Sequence, residues 1–318
     1  GYHSLNRIID GAHDGVRLDK CVKELFAVSW STARSRIEAG KIFCDKKVAT
    51  APEQPMRRGV SLTYDADAPR PAARDDFDPA CILYADSHVI VAVKPAGVVT
   101  TKVDEDERDT FLRRLRLHLA REKGPSRKRR GALPSLMTVH RLDKLTSGVL
   151  VFARSGVAMD GLSTQFKERT VTWTHLALVH GRCPAVTISS HIQEDRGDGL
   201  RGSSEHSRSK KVRRRAEGKP AVTRVEVVEC LRNATLVACN FERGGGTNQL
   251  RVQLFEQGCP IVGDRTYLKG IRGEPINSLQ LLVHANHLSF RHPVTGAPMS
   301  FAAPLPDYFE ATLAQLRR

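Results

Sequence analysis

Short strand-like runs dominate the later part of the chain, and the helical stretches between them follow no regular alternation. The strand-like runs are Cys81–Val93, Val149–Ala153, Leu176–Val179, Val222–Val228, Leu236–Cys239, Leu250–Leu254 and Leu281–Phe290. Helices are expected around Ala158–Glu168 and Tyr308–Leu316. Because a parallel sheet requires a helical crossover after nearly every strand, this pattern predicts an α+β domain with a mixed, mainly antiparallel central sheet.

A smaller module is predicted before this domain, in residues 15–64. Ser31 is expected to cap a helix that ends at Gly40, and short strands are expected at Lys41–Cys44, Lys47–Ala49 and Val60–Tyr64. The run SRIEAGKIFCDKKV (residues 35–48) resembles the ribosomal-protein-S-four-like RNA-binding domain, a small α/β module. That resemblance implies RNA contacts from its cations, which include Arg34, Arg36 and Lys41.

The domain organisation follows from composition. Residues 65–79 (DADAPRPAARDDFDP) combine Pro, Ala and Asp without apolar periodicity, which predicts a linker. Residues 80–318 then form the main domain, with basic inserts near 102–134 and 195–219.

Positive charge is concentrated in these two inserts. The chain has 50 Lys and Arg against 35 Asp and Glu, a formal charge of +15. Arg113–Arg130 contains nine basic residues and one acid, and Arg201–Lys219 contains eight and two. Such clusters predict a polyanionic partner, nucleic acid before an anionic membrane surface. The candidate contacts are Arg127, Lys128, Arg129, Arg130, Lys210, Lys211, Arg213 and Arg214.

Several other classes are excluded. No apolar run approaches the roughly 18 residues of a membrane span. The seven cysteines include no C-x-x-C pair, so neither a zinc site nor a disulfide framework is expected, and a reducing compartment is favoured. A DNA-binding protein would need a recognition motif that the sequence lacks. The chain starts without Met and is rich in Arg, which favours the mitochondrial matrix over the cytoplasm.

One segment combines a polar loop with an apolar strand. In His140–Ala153 (HRLDKLTSGVLVFA), Asp143 lies on the loop that runs directly into the strand. This arrangement can hold a carboxylate rigidly at the rim of a sheet, as a nucleophile or base requires. The letters R-L-D recur at Arg17–Asp19, where they indicate only the start of a helix.

The longer run HRLDKLTSGVLVFAR resembles the signature of the RluA-type pseudouridine synthases. Further matches follow in the same order as in that family, so that the resemblance covers residues 80–306. They are ILYADSHVIVAVKPAGVV (82–99), THLALVHG (174–181), GGGTNQLRVQLFEQGCPIVGDRTY (244–267) and LLVHANHLSFRHPVTGAPMSFAAPLP (281–306). The resemblance implies isomerisation of uridine to pseudouridine within RNA, without cofactor or metal.

The resemblance also implies roles for individual residues. Asp143 would be the catalytic carboxylate, acting at the ribose of a flipped-out nucleotide. Arg251 matches the family arginine that pairs with this aspartate, and a permanent cation would offset the cost of burying the carboxylate. Arg141 matches a residue that enters the RNA stack, and His140 precedes it as a further candidate RNA contact.

Three positions depart from the family pattern. His175 stands where the family has a Tyr that stacks on the uracil, and Gly246 and Asn248 replace an Arg and a His. Histidine can stack on a base and transfer a proton near neutral pH, so His175 is a candidate catalytic residue. Two hypotheses follow: an active synthase acting on a structured RNA, above all ribosomal RNA, or a catalytically impaired RNA-binding protein acting as a ribosome-assembly factor. Either would be intracellular and associated with ribosomal RNA or a pre-ribosomal particle.

Overall fold

A computed structural model describes residues 4–49, 51–68, 77–102, 109–122, 133–196, 198–206, 218–246, 248–268, 271 and 273–318. The described residues fall into two compact units. One contains residues 4–68 and the other contains the residues from 77 onward. The described ends of the predicted linker belong to these units, because Asp65 ends a strand of the first and Pro79 begins a short helix of the second.

The first unit is a four-stranded antiparallel sheet with two helices. Its elements are β1 (Ser4–Ile8), α1 (Leu18–Leu25), α2 (Trp30–Glu38), β2 (Ile42–Cys44), β3 (Lys47–Val48) and β4 (Ser61–Asp65), and the strand order is β1-β4-β2-β3. Leu18, Ile37 and Leu62 are fully buried in its core.

The first unit differs from the prediction in two places. It begins before residue 15, because strand β1 pairs with β4 along its whole length. The cap of helix α2 is Ser29, whose hydroxyl accepts a hydrogen bond from the Thr32 N–H at 3.1 Å, so Ser31 lies inside the helix. The predicted stop at Gly40 is confirmed by its positive φ of 72°, which favours glycine.

The second unit is built on one large sheet. Its strands are β5 (Ile82–Ala85), β6 (Val89–Lys94), β7 (Met137–Thr138), β8 (Ser147–Ala153), β9 (Thr172–His180), β10 (Val186–Gln193), β11 (Gly202–Ser203), β12 (Lys219–Cys230), β13 (Ala234–Arg243), β14 (Val283–Arg291) and β15 (Pro298–Ala302). Its helices are α3 (Phe111–Glu122), α4 (Gly156–Glu168), α5 (Gln249–Glu256) and α6 (Asp307–Leu316).

The strand order is β11-β10-β12-β13-β9-β14-β8-β6-β5, with β15 paired to β14 and β7 paired to β8. Among the described strands, β8 and β14 are the parallel pair, and the other pairs are antiparallel. The predicted α+β class with a mixed, mainly antiparallel sheet is confirmed.

Helices cover both faces of this sheet. On one face, α3 packs Phe111 and Leu115 against Leu150 of β8. On the other face, α4 packs Leu162 against Val151. Because successive strand residues point to opposite faces, a strand covered on both sides must be apolar at every position. All of β8 is buried, which explains its uninterrupted apolar run at Val149–Ala153.

The predicted strand at Leu250–Leu254 is wrong, because these residues lie in helix α5. Short apolar runs do not distinguish a buried strand from a buried helix by periodicity alone. Here the buried pairs Leu250 with Leu254 and Gln249 with Gln253 share the four-residue spacing of a helix face. The triple glycine at 244–246 therefore leads into a helix rather than a strand.

None of the described helices has the length and apolar character needed to cross a membrane.

Candidate active site

Asp143 lies on a loop that the neighbouring chain holds in place. The Thr100 hydroxyl donates to the Leu142 carbonyl at 2.8 Å and accepts from the Leu142 N–H at 3.0 Å. The Gly97 N–H donates to the Lys144 carbonyl at 2.7 Å. Both residues flanking Asp143 are thus fixed to the segment after strand β6, which orients its carboxylate before any substrate binds.

Lys94 contributes to the same support from the interior. Its ammonium group is fully buried and donates to the carbonyls of Pro95, Val98 and Lys144, at 2.8, 2.7 and 3.4 Å. Burial lowers the pKa of Lys94 to about 7, and the negative charge of Asp143 opposes that shift. Lys94 therefore joins the end of β6 to the Asp143 loop and places a titratable amine beneath it.

The carboxylate of Asp143 is held by helix α5. Its Oδ2 accepts a hydrogen bond from the Asn248 N–H at 2.8 Å. Asn248 is the first flanking residue of α5, so this N–H is one of the donors that a helix leaves unpaired at its N-terminus. A carboxylate at this position also interacts favourably with the helix dipole.

Arg251 does not pair directly with Asp143 as predicted. Its guanidinium forms a forked ion pair with Asp264, with Nε–Oδ2 at 2.7 Å and NH2–Oδ1 at 2.9 Å. The third nitrogen, NH1, donates to the Asn248 side-chain oxygen at 3.2 Å. Burial opposes the charged form of Arg251, but Asp264, and more weakly Asp143, raise its pKa above the usual value. Arg251 is therefore a permanent cation near Asp143 whose direct ion-pair partner is another carboxylate.

An aromatic wall forms one side of the site. The ring of His175 lies edge-on to Trp173 on one side, at 4.5 Å between ring centroids, and to Phe241 on the other, at 5.0 Å. His175 is only 2% exposed, and burial lowers its pKa to about 3. Its Nδ1 is buried and has no hydrogen-bond partner among the described residues. At neutral pH this position therefore holds an uncharged imidazole.

A buried polar network supports the glycine-rich loop opposite. The Gln249 side-chain oxygen accepts from the Gly245 N–H at 2.7 Å, and its amide donates to the Thr223 hydroxyl at 3.0 Å. Thr223 in turn donates to Gln253 at 2.6 Å. Since the buried side-chain polar atoms of Thr223, Gln249 and Gln253 all have partners, the network fixes the loop at low energetic cost.

These groups line one open cleft. Its polar lining includes the carboxylate of Asp143, the amide of Asn248 and the guanidinium of Arg251, and its apolar lining includes Trp173 and Phe241. A planar aromatic ligand fits such walls, and a carboxylate at the rim can act on it as nucleophile or base. The predicted residues Asp143, His175 and Arg251 thus meet in one cleft, together with the exposed side chain of Arg141.

The predicted RNA contact at His140 is not supported by its position. Its Nε2 accepts a hydrogen bond from the Val151 N–H at 3.0 Å, and its Nδ1 is buried without a partner among the described residues. The ring packs between Phe166 and Trp173, at 4.5 and 4.3 Å between centroids. Burial lowers the pKa of His140 to about 3, so we assign it to the packing behind the aromatic wall.

The cations predicted in the first unit already have intramolecular contacts. Arg34 donates to the buried Asp19 at 3.0 Å, Arg36 lies 3.9 Å from the ring centroid of Tyr64, and Lys41 donates to a main-chain carbonyl. Their RNA contacts stay a prediction. The other predicted contacts lie outside the described residues: Arg127, Lys128, Arg129, Arg130, Lys210, Lys211, Arg213 and Arg214.

Sequence reasoning missed three residues of the site. Asp264 and Lys94 both lie within segments that carry the family resemblance, and their place in these segments is the sequence signal that could have identified them. Asn248 stands out in the sequence only as a departure from the family pattern, because its main-chain contact to Asp143 does not depend on its side chain.

Comparison with known proteins shows the family to which the chain belongs. The sequence profile of the RNA pseudouridylate synthase family matches residues 88–256, more than half of the chain. The chain therefore belongs to the RNA pseudouridylate synthase family. As a member of this family it is an RNA pseudouridine synthase, an isomerase that acts on uridine in RNA.

Individual relatives extend the match over the full length. The chain is 33% identical to ribosomal large subunit pseudouridine synthase D of Xylella fastidiosa, over 100% of this chain and 93% of that protein. It is 29% identical to the protein of the same name from Zymomonas mobilis, over 92% and 91%. The solved structure of human RNA pseudouridylate synthase domain containing 4 covers 75% of this chain and 93% of its own, with a TM-score of 0.55 and 24% identity, which supports the fold.

Proposed function

We propose that the protein isomerises uridine to pseudouridine in a structured RNA, with ribosomal RNA as the substrate and Asp143 as the catalytic carboxylate. The observation that carries the proposal is the placement of Asp143, bound by the Asn248 N–H at 2.8 Å at the rim of an aromatic-walled cleft beside the buried cation Arg251. The names of the full-length relatives, which refer to the large ribosomal subunit, support ribosomal RNA as the substrate.

The residues that line the cleft have separate roles in the proposed isomerisation. The N–H of Asn248 holds one oxygen of the carboxylate that acts as nucleophile or base, and Arg251 places a permanent positive charge near it. The aromatic wall offers a stacking surface for an extruded base, and Arg141 would fill the place that the base leaves in the RNA stack. His175, which is neutral, would contact the base as a hydrogen-bonding ring rather than as a cation.

The decisive experiment is modification mapping of ribosomal RNA after incubation with the purified protein. We expect pseudouridine at a defined position with wild type, and a rate at least about a thousandfold lower with Asp143→Asn, because the reacting group is lost. Asp160→Asn makes the same chemical change at an exposed position of helix α4 and should keep the wild-type rate. RNA binding, measured separately, should be unchanged in both variants. Absence of product with wild type would refute the synthase proposal.

A second candidate is a ribosome-assembly factor that binds RNA without modifying it. It is favoured by His175, Gly246 and Asn248, which stand where the family has Tyr, Arg and His. This candidate predicts that wild type forms no pseudouridine and that Asp143→Asn still supports assembly of ribosomal particles.

We further propose that the first unit is a ribosomal-protein-S-four-like RNA-binding module, supported by its helix pair, its hairpin and the cations on them. Filter binding with Arg36→Gln and Lys41→Gln tests this role, since loss of an RNA contact should weaken binding.

For the compartment, we propose the mitochondrial matrix, supported by the Arg-rich sequence alone. Fractionation of cells that express the full-length protein tests that assignment.

A further inference from the structure

Asn248 touches both charged groups of the cleft. Its main-chain N–H donates to Asp143 Oδ2 at 2.8 Å, and its side-chain oxygen accepts from Arg251 NH1 at 3.2 Å. It has a positive φ of 60°, a conformation that Asn tolerates better than most side chains. One residue therefore connects the carboxylate and the guanidinium through two different atoms.

The side chain of Asn248 is not used as a helix cap. At the N-terminus of a helix, an Asn side chain normally accepts a hydrogen bond from an N–H of the first turn. Asn248 precedes helix α5 but makes no such bond, and its oxygen is directed to Arg251 instead. The capping contribution is lost in favour of a contact within the cleft.

Asp264 determines which nitrogen of Arg251 is available to the Asn248 side chain. It is fully enclosed and takes two nitrogens of Arg251, so that NH1 is the nitrogen left to face Asn248. Among the described residues, none hydrogen-bonds to Asp143 Oδ1, while Oδ2 is bound by Asn248. Asn248 thus contacts one charged group with its main chain and the other with its neutral carboxamide, and one carboxylate oxygen of Asp143 is left for the substrate.

We propose that Asn248 is a positioning residue for the isomerisation, acting as a neutral spacer that orients Asp143 through its N–H and fixes Arg251 through its carboxamide. This inference rests on the proposed function. Asn248 is one of the positions that differ from the family pattern. In this chain Arg251 and Asp143 are linked through Asn248 rather than by a direct ion pair.

Two substitutions separate the side-chain role from a purely conformational one. Asn248→Gly keeps both the N–H and the positive φ, which glycine adopts freely, and removes only the carboxamide. Asn248→Asp keeps the shape of the side chain and adds a negative charge at its contact with Arg251. Arg169→Gly is the matched control, because Arg169 also has a positive φ of 58° but caps helix α4 away from the cleft lining.

The experiment is single-turnover pseudouridine formation at saturating ribosomal RNA, measured from pH 5.5 to 9 with RNA affinity determined in parallel. For Asn248→Gly we expect a rate about tenfold lower with unchanged affinity, the effect of one lost hydrogen bond to a charged group. For Asn248→Asp we expect a rate lower than that of Asn248→Gly and a rate–pH profile that differs from wild type, because the substitution adds an ionisable group to the cleft. Arg169→Gly should match wild type in rate.

The measurements distinguish failure of the role proposed for Asn248 from failure of the proposed synthase activity. An active wild type whose rate and pH profile are matched by Asn248→Gly would overturn the role of Asn248 and leave the proposed function intact. A wild type that forms no pseudouridine would overturn the proposed function, and the positioning role with it.

Discussion

Burial of His175 makes the stability of the second unit depend on pH. The folded protein holds this imidazole neutral, with a pKa of about 3, whereas histidine in an unfolded chain has a pKa of about 6.5. Between these two values the unfolded chain binds a proton that the folded chain does not. Unfolding therefore takes up a proton, and the free energy of unfolding falls as the pH falls below about 6.5.

The size of the effect follows from the two pKa values. At pH 7 the unfolded state gains only about 0.2 kcal/mol from protonation of this histidine, and at pH 5 it gains about 2 kcal/mol. His175→Phe keeps an aromatic ring between Trp173 and Phe241 and removes the titrating group. We expect the wild type to lose about 2 kcal/mol relative to this variant between pH 7 and pH 5.

Urea unfolding at pH 7, 6 and 5 measures this difference, and the sequence offers a local probe. The chain has two tryptophans, Trp30 in the first unit and Trp173 beside His175 in the second. A Trp30→Phe background leaves Trp173 to report on the second unit alone. Val179→Ala, a buried control on the same strand, should lower stability about equally at all three pH values, because it removes no titrating group. If the free energies of unfolding of wild type and His175→Phe changed in parallel with pH, His175 would not be the source of the pH dependence.

Three further predictions concern the packing, the buried cation and the charged segments. Gly148→Ala would place a methyl group within 2.4–2.5 Å of Ala285, mostly its backbone, and should lower the free energy of unfolding by about 3 kcal/mol or more in thermal or urea melts. Asp264→Asn leaves the buried guanidinium of Arg251 without its carboxylate and should cost about 3–5 kcal/mol in the same assay. Replacing Arg127–Arg130 by Gln should weaken RNA binding and flatten its salt dependence by about one log unit per lost phosphate contact; an unchanged slope in a salt titration would show that these residues do not touch RNA.

Much of the second unit was predictable because burial leaves a clear pattern. The run at 149–153 became part of β8, which is apolar there at every position since helices cover the sheet on both faces. The run at 281–290 largely became β14, in which the buried Leu288 and Phe290 alternate with polar residues. The run at 250–254 was misassigned, because a short apolar segment satisfies helix and strand periodicity equally and only packing decides between them.

The candidate site was predictable in its membership but not in its connections. Asp143, His175 and Arg251 do line one cleft. The direct pairing of Arg251 with Asp143 was wrong, because Asp264 lies nearer and takes the forked contact. The ring of His140 turned inward, since a neighbouring strand supplies an N–H for its Nε2.

The sequence alone establishes the family, the strand-rich α+β class, the carboxylate at the rim of a buried strand and the location of the excess positive charge. These are properties of residue type and order along the chain. Three-dimensional packing, in contrast, sets which groups contact Asp143 and whether His175 carries a charge. Hydrogen bonds between residues 105 positions apart, such as Asn248 to Asp143, and the desolvation of a ring between two aromatic neighbours depend on the packing of distant segments.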